Sequence, residues 1–188
     1  MKAAELYRLL GTALAPCFVA HGLKRRSASR PQYQRQNEAN YETIWFQCDK
    51  SGWDRYAGSS FFVNFSVTGE ADPEAVRSRS ERLNFFLTDE ELERARRLRD
   101  EVVARIPMPP HSYFKLLEEG FRKSSPDPES LVAAVRSFFA PERSPYRRNH
   151  DLKLRYWQPR DIAEWAEFMR PVLPRALQEM DTWVPREK

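Results

Sequence analysis

The segment from residue 61 to residue 68 constrains the fold most strongly, because its side chains alternate along the chain. Every second residue is a large apolar one: Phe61, Val63, Phe65 and Val67. The intervening residues are Phe62, Asn64, Ser66 and Thr68. A two-residue period of this kind predicts a β-strand with one fully apolar face. That face must be buried, so other parts of the chain must cover it.

The neighbouring segments predict the other strands of an antiparallel meander. Residues 41–48 are rich in β-forming residues on both faces, and a turn separates them from a shorter strand at 32–36. A longer loop at 49–60 joins the second of these strands to the strand at 61–68. Alternation over residues 152–157 predicts a fourth strand that completes the sheet.

Helices are predicted before, between and after these strands. Apolar residues at three- and four-residue spacing indicate amphipathic helices at 3–21 and 161–180. Gly22 is expected to end the first of these helices, and Asp161 to cap the start of the second. Thr88 and the acids after it form a capping box, and that helix is expected to end before Pro107. Further helices are predicted at residues 112–121 and 128–139, and a short one at 74–82.

The predicted fold class is therefore α+β. We expect a single domain over residues 1–188, with an antiparallel sheet of about four strands, a meander plus a late strand. N- and C-terminal helices flank the sheet, and residues 69–145 form a helical insertion within the domain.

Composition narrows the class of protein. With 188 residues, of which 41% are hydrophobic, the chain can bury a sizeable core. Cys17 and Cys48 cannot form a disulfide framework, so we interpret them as small buried hydrophobes in a reducing compartment. Glu5 and Arg8 interrupt the apolar pattern of the first helix, so we expect neither a signal peptide nor a membrane span. The expected location is the cytoplasm.

No motif indicates catalysis. His21, His111 and His150 lie far apart in the sequence, and none has metal-ligand spacing from another. The chain contains no G-x-S-x-G, no glycine-rich phosphate loop and no H-E-x-x-H. We therefore assign no catalytic residue and expect no cofactor and no metal.

Four stretches carry a family resemblance. They are HGLKRR at 21–26, YQR at 33–35, IWFQ at 44–47 and FFVNFSV at 61–67. In this order the chain resembles the bacterial family called domain of unknown function 4304, over residues 1–68 and more loosely over 146–184, with an insertion between. The resemblance implies a compact α+β fold with a helix before and a helix after the sheet. It implies no activity.

The non-core face of the predicted sheet is a candidate ligand site. If the two central strands pair in the register that their alternation favours, Trp45, Gln47, Phe62 and Asn64 lie together on that face. Aromatic and amide groups side by side suit the edge of a ligand, so an enzyme or small-ligand binder is one hypothesis. The alternative is that a helix covers this face and the amides bond to the backbone or to each other.

A loop tip and two basic strips are the remaining candidates. Trp53, Arg55 and Tyr56 form the tip of the 49–60 loop, and exposed aromatics beside charges are enriched in protein contacts, although Trp53 tucked under its own loop is an equal alternative. The strips span residues 24–35 and 143–160 and have few acids. Their basic patch residues are Lys24, Arg25, Arg26, Arg147, Arg148 and Arg155.

These observations favour a non-enzymatic protein-interaction module. We expect an unidentified protein partner and no membrane. Basic strips with interleaved aromatics also suit phosphates and bases, so a nucleic-acid-binding protein is the alternative. No nucleic-acid motif accompanies the strips, and the net charge of +4 is mild.

Overall fold

The fold is described from a computed structural model. It describes residues 1–27, 31–37, 40–50, 52–70, 78–138 and 152–183. In chain order the elements are α1 (Ala3–Ala20), β1 (Lys24–Arg25), β2 (Gln32–Asn37), β3 (Asn40–Cys48), β4 (Ser59–Thr68), β5 (Ser78–Arg82), a 3-10 turn (Leu83–Phe86), α2 (Asp89–Arg105), α3 (His111–Ser124), α4 (Pro128–Phe138), β6 (Leu154–Tyr156) and α5 (Pro159–Met180).

The strands form one antiparallel sheet in the order β1-β2-β3-β4-β5, and β6 also pairs with β4. The α+β class and the antiparallel meander with a late strand are therefore confirmed. The sheet has more strands than expected, because the short β1 and β5 join it. The short helix expected at 74–82 is wrong over Ser78–Arg82, which pairs with Asn64–Thr68 of β4. Residues 71–77 lie outside the described residues.

The apolar face of β4 is buried as its alternation predicts. All four of its inward side chains are at most 2% exposed. Two helices supply the cover: α1 through a stripe that includes Leu10 and Phe18, and α5 through one that includes Trp165 and Phe168. Each such side chain contributes roughly 1.5–3 kcal/mol on burial. The sheet thus has one face that packs on helices and one outer face.

Glycine ends α1 as predicted. Gly22 has φ 71°, the left-handed conformation that only glycine adopts without strain. The Leu23 amide donates to the Phe18 carbonyl at 2.9 Å and the Gly22 amide donates to that of Val19 at 3.1 Å. This is the Schellman arrangement, and Leu23 is buried beside the last turn. It fixes the position of His21 at the helix end.

Buried Asp161 fixes the start of α5. Its carboxylate accepts from the backbone amides of Trp157 and Gln158, both at 2.8 Å, and from the Arg105 guanidinium at 2.5 Å. Arg105 also donates to Glu164 at 2.6 Å, and these bonds raise the pKa of Arg105. The Asp161 carboxylate caps the helix start as predicted, but from inside the first turn: the N-cap is Gln158 and α5 begins two residues earlier than expected. Through Arg105, Asp161 also ties the end of α2 to the start of α5.

One helix in the described part of the chain, α1, is long and apolar enough to cross a membrane by length and composition. Its apolar stripe, however, is buried against the sheet: Leu6, Leu10, Leu14 and Phe18. In this fold α1 is a core helix.

Two loop glycines provide a test of the fold. An added Cβ at Gly58, which has φ 63°, would lie 2.5 Å from the carbonyl oxygen of Tyr156, whereas one at Gly52, with φ 74°, would meet nothing within 4 Å. We expect Gly58→Ala to lower the free energy of unfolding by about 3 kcal/mol, and the matched control Gly52→Ala by only about 1 kcal/mol. Urea unfolding measures both. Equal losses would contradict the close β4–β6 approach.

Candidate functional site

The loop tip and the segment after β6 form one surface. The Trp53 indole donates to the carbonyl of Trp157 at 3.0 Å, and the Trp157 indole donates to the carbonyl of Arg55 at 2.9 Å. Trp53 is still 37% exposed. The structure therefore brings the predicted partner-contact loop beside the end of the second basic strip. The indole bonds fix the position of the Trp53 ring at the surface.

Asp54 holds the loop tip in one shape. Its backbone exchanges two hydrogen bonds with Gly58, at 3.0 and 2.8 Å. Its carboxylate accepts from the amides of Tyr56 and Ala57 at 2.7 and 3.0 Å. These bonds hold the Asp54 carboxylate inside the loop, while the Arg55 side chain stays exposed.

The charge on this surface is positive. Four cations are exposed within residues 49–58 and 152–161: Lys50, Arg55, Lys153 and Arg160. Asp49 and Asp54 are half-buried and Asp161 is fully buried, so the described residues of these two segments contain no exposed acid. Lys153 lies 3.7 Å from Asp49, and Arg160 lies 4.0 Å from Asp161. Such a surface attracts an acidic partner.

Helix α3 extends this surface with apolar side chains. The ring of Tyr113 lies 4.9 Å from that of Tyr56, centre to centre. Although α3 is amphipathic, none of its residues is buried, and Leu116 is 67% exposed. Met108 and Leu131 are exposed nearby in the chain, before α3 and in α4. The predicted insertion therefore carries exposed apolar side chains, and it contacts the loop tip through Tyr113.

The outer sheet face brings together the four predicted ligand residues. Trp45 pairs with Asn64 and Gln47 pairs with Phe62 across β3 and β4, which is the expected register. The Arg82 guanidinium lies 4.4 Å from the centre of the Phe62 ring, a cation–π contact. The arrangement is confirmed, but a ligand-binding role for these residues stays a hypothesis.

The centre of this face is closed. Thr43, Ser66 and Asn64 are buried, and the Gln34 amide donates to Thr43 at 3.0 Å. Within the described residues the Asn64 Nδ2 and Ser66 Oγ atoms have no hydrogen-bond partner. At one end of the face, Trp45, Gln47 and Phe62 reach solvent. The Asn64 amide nitrogen itself is buried, so a ligand at this end would meet the aromatic rings and Gln47 first.

The described parts of the basic strips lie at different edges of the sheet. Lys24, Arg25 and Arg26 are exposed at the β1 edge, and three strands separate β1 from β6, which carries Arg155. With strands spaced roughly 4.8 Å apart, that distance is about 19 Å. Arg147 and Arg148 lie outside the described residues, so convergence of the complete strips stays a hypothesis.

A buried acid cluster lies at the other end of β3. Arg35 donates through Nε to Glu42 at 2.7 Å and through a terminal nitrogen to Asp181 at 2.6 Å. The Asn37 amide donates to Glu42 at 3.0 Å and to Asp181 at 2.7 Å. Glu42 is 1% exposed. One guanidinium and one amide thus hold two carboxyl groups together.

Burial raises the pKa of Glu42 from its usual 4.5, and the hydrogen bond to Asp181 raises it further, whereas Asn37 and Arg35 act in the opposite direction. Glu42 therefore keeps its proton to a higher pH than an exposed glutamate does. A protonated Glu42 donates to Asp181 and removes one negative charge from the buried cluster. The cluster can hold and release a proton.

Sequence reasoning missed this cluster, although part of it has a signal. The antiparallel pairing of β2 with β3 places Arg35 opposite Glu42, and Glu42 is a charged residue on the same face of β3 as Ile44 and Phe46. A charged residue at such a position needs a partner. Asp181 follows α5, far away in the sequence, and no local pattern points to it.

Neither cysteine is an activated thiol in this structure. Cys17 and Cys48 are free and half-buried rather than fully buried, and burial raises the pKa of both thiols. Burial also raises the pKa of Tyr7 and Tyr156, which lie beside Cys48, to about 12. Within the described residues no three His, Cys, Asp or Glu side chains are placed to hold a metal ion. Cys48 is a neutral thiol at neutral pH.

Comparisons with protein-family models, with curated proteins and with solved structures found no match. The resemblance to the domain of unknown function 4304 family therefore stays a prediction, and any function must be argued from the surfaces described above.

The acid cluster predicts a specific pH dependence. Because the pKa of folded Glu42 lies above the ordinary 4.5, the stability linked to its proton is fully present below about pH 4.5 and is lost as pH rises through the folded pKa. Glu42→Gln mimics the protonated form, since its amide can donate to Asp181 and its oxygen can accept from Arg35. We expect this variant to remain stable and to lose that part of the pH dependence.

Glu42→Ala is the contrasting variant. It removes the Glu42 acceptor from the half-buried Arg35 and Asn37, which keep Asp181 as an acceptor, so we expect the free energy of unfolding to fall by about 1–3 kcal/mol. Urea unfolding at several pH values compares the two. If Glu42→Gln is as unstable as Glu42→Ala, the proton does not lie on Glu42.

Proposed function

We propose that this protein is a non-enzymatic interaction module that docks an acidic protein segment on the surface formed by the loop tip at residues 52–58, residues 152–161 and α3. The single observation that carries the proposal is that α3, an amphipathic helix, has no buried residue although it lies beside an exposed cationic loop.

The neighbouring elements leave the apolar side chains of α3 only partly covered. At 100° per residue its apolar residues span an arc of about 160°. They are Tyr113, Phe114, Leu116, Leu117 and Phe121. An isolated helix of 14 residues is marginally stable in water, so such a helix depends on packing. A bound partner would bury the remaining arc.

Charge complementarity identifies the partner's chemistry. The exposed cations near the loop tip, Arg55 and Arg160 among them, face solvent without an exposed acid in residues 49–58 and 152–161. On α3 the exposed cations outnumber the exposed acid Glu119; they are Lys115, Arg122 and Lys123. Trp53 and Tyr56 lie among these cations, and aromatic and arginine side chains carry most of the energy at protein interfaces. A partner with acidic residues around an apolar centre fits both features.

Nucleic acid would use the cations and aromatic rings but would leave the aliphatic side chains of α3 uncovered. Leu116 and Met108 therefore favour a protein partner. A cytoplasmic location belongs to this proposal, since α1 is packed as a core helix.

The first experiment identifies the partner. The tagged protein is recovered from a lysate of its own organism, with and without nuclease, and examined by native mass spectrometry. A defined extra protein mass that survives nuclease is expected, and its affinity is then measured with purified components. An extra mass that nuclease removes would overturn the proposal in favour of nucleic acid.

Charge reversal tests the role of the loop surface. We expect the double variant Arg55→Glu with Arg160→Glu to weaken partner binding by on the order of a hundredfold and to slow association, because both cations face the acidic partner. The control is the double variant Arg8→Glu with Arg97→Glu, which reverses two exposed cations on α1 and α2 and makes the same change in net charge. Equal weakening by the control would show a dependence on net charge alone.

A second pair of variants tests α3. We expect Leu116→Asp to weaken partner binding by on the order of tenfold or more, since it places an acid in the apolar contact. Val19→Asp, at another exposed apolar helix position, is the control and should leave binding unchanged. Binding that is unaffected by Leu116→Asp would remove α3 from the interface.

A further inference from the structure

A groove lies on the opposite side of the acid cluster from the core. Its volume is about 440 Å³, within the range of small-molecule sites. One wall is a stripe of α5 that runs from Pro171 to Asp181, a length of about 15 Å at 1.5 Å per residue. His21 at the end of α1 and Arg35 of β2 form the facing wall.

The two arginines of this groove are already neutralised by the protein. Arg35 is held by Glu42 and Asp181, and Arg175 donates to Glu91 at 2.5 Å and to the Phe86 carbonyl at 2.9 Å. The Asp181 side chain, in contrast, is 42% exposed. An anionic ligand would have to displace a carboxylate from an arginine, whereas a cationic ligand can reach Asp181 directly.

The charge of the cluster is unbalanced. One guanidinium, that of Arg35, faces two carboxyl groups, those of Glu42 and Asp181. When both are ionised, one negative charge is in excess in a partly buried place, and this state is unfavourable. A proton on Glu42 balances the charge, and so would a second cation.

We propose that this groove binds a small organic cation, an aliphatic ammonium or guanidinium compound, whose charged nitrogen donates to the Asp181 carboxylate and whose alkyl chain lies along Pro171 and Pro174. The α5 stripe supports this assignment, because the rings of these two prolines reach the surface and lie on the same side of the helix as the Asp181 carboxylate. Ligands of this class have the same order of groups, an alkyl chain that ends in a charged nitrogen.

The cation and the proton compete. The titratable and charged groups that face the carboxyl pair are Arg35 on β2, His21 at the end of α1, and Arg175 on α5, and the Asn37 amide bonds to both acids. Protonation of Glu42 removes a negative charge from the cluster and disfavours a second cation. Binding should therefore release a proton and strengthen as pH rises.

The test uses n-butylamine as the probe, with n-butanol and butyrate as uncharged and anionic probes of similar shape. Binding to the full-length protein is followed by NMR chemical shifts of the His21 and Gln178 resonances. We expect saturable binding of n-butylamine alone, with an affinity that rises as pH rises through the raised pKa of Glu42. Equal binding of n-butanol, or affinity independent of pH, would overturn the proposal.

Asp181→Asn and Glu179→Gln form the matched pair of variants. Both remove one acid from the end of α5, but Glu179 does not line the groove. We expect Asp181→Asn to weaken n-butylamine binding by on the order of tenfold, because a charge-assisted hydrogen bond is lost, and Glu179→Gln to leave it unchanged. Equal weakening in both variants would show a nonspecific charge effect and would overturn the site.

A measurement of the Tm with and without n-butylamine remains informative if Asp181→Asn is less stable than the wild type. n-Butylamine should raise the Tm of the wild type and of Glu179→Gln and should leave the Tm of Asp181→Asn unchanged. A rise in Asp181→Asn equal to that of the wild type would overturn the proposal. The outcome is independent of the docking surface on α3, which lies elsewhere in the fold.

Discussion

Burial of the apolar face of β4 is the constraint on which the rest of the structure depends. This strand is central and pairs with β3 along nearly its whole length. On its other side it pairs with β5 over Asn64–Thr68 and with β6 over Ser59–Phe61. The chain between β5 and β6 therefore leaves β4 at one end and returns to it at the other. This divided edge is what allows α2, α3 and α4 to be inserted without breaking the sheet.

The same face changes from apolar to ionic at its Glu42 end. Ile44 and Phe46 pack in the core, but Glu42, two residues before them on the same face, meets Arg35 and Asp181. A buried ionic cluster contributes less stability than an apolar replacement of the same volume often would. The ion pairs of Arg35 instead hold the Asp181 carboxylate at the groove, which an apolar replacement would not do.

The sequence was sufficient to predict the elements whose signal is local. The alternation in β4 predicted the buried face, Gly22 predicted the end of α1, and Thr88 predicted the capped start of α2. Segment β5 was missed because Ser78–Arg82 has no apolar alternation; pairing with β4 alone makes it a strand. The strand register predicted from the sequence correctly paired Trp45 with Asn64. The burial of the residues around this pair depends on the tertiary structure and could not be predicted.

The candidate surfaces could be predicted only in part for the same reason. Trp53, Arg55 and Tyr56 could be identified from a loop that combines aromatics with charge, but their contact with Trp157 and α3 joins segments that are far apart in sequence. The groove combines the ends of α1 and α5 with β2. Short-range patterns carry no information on which helix end meets which strand, so Asp181 could not be placed.

Helix α5 contributes to both proposed sites. Its first turn is fixed by Asp161, next to the loop surface, and the residue after its end, Asp181, lies in the groove about 30 Å away. Coupling between two sites requires an element with two arrangements that both ligands bias. The structure shows one arrangement of α5, held at its start by Arg105 and near its end by Arg35. The docking surface and the groove are therefore expected to bind independently, because nothing in this helix transmits a change from one to the other.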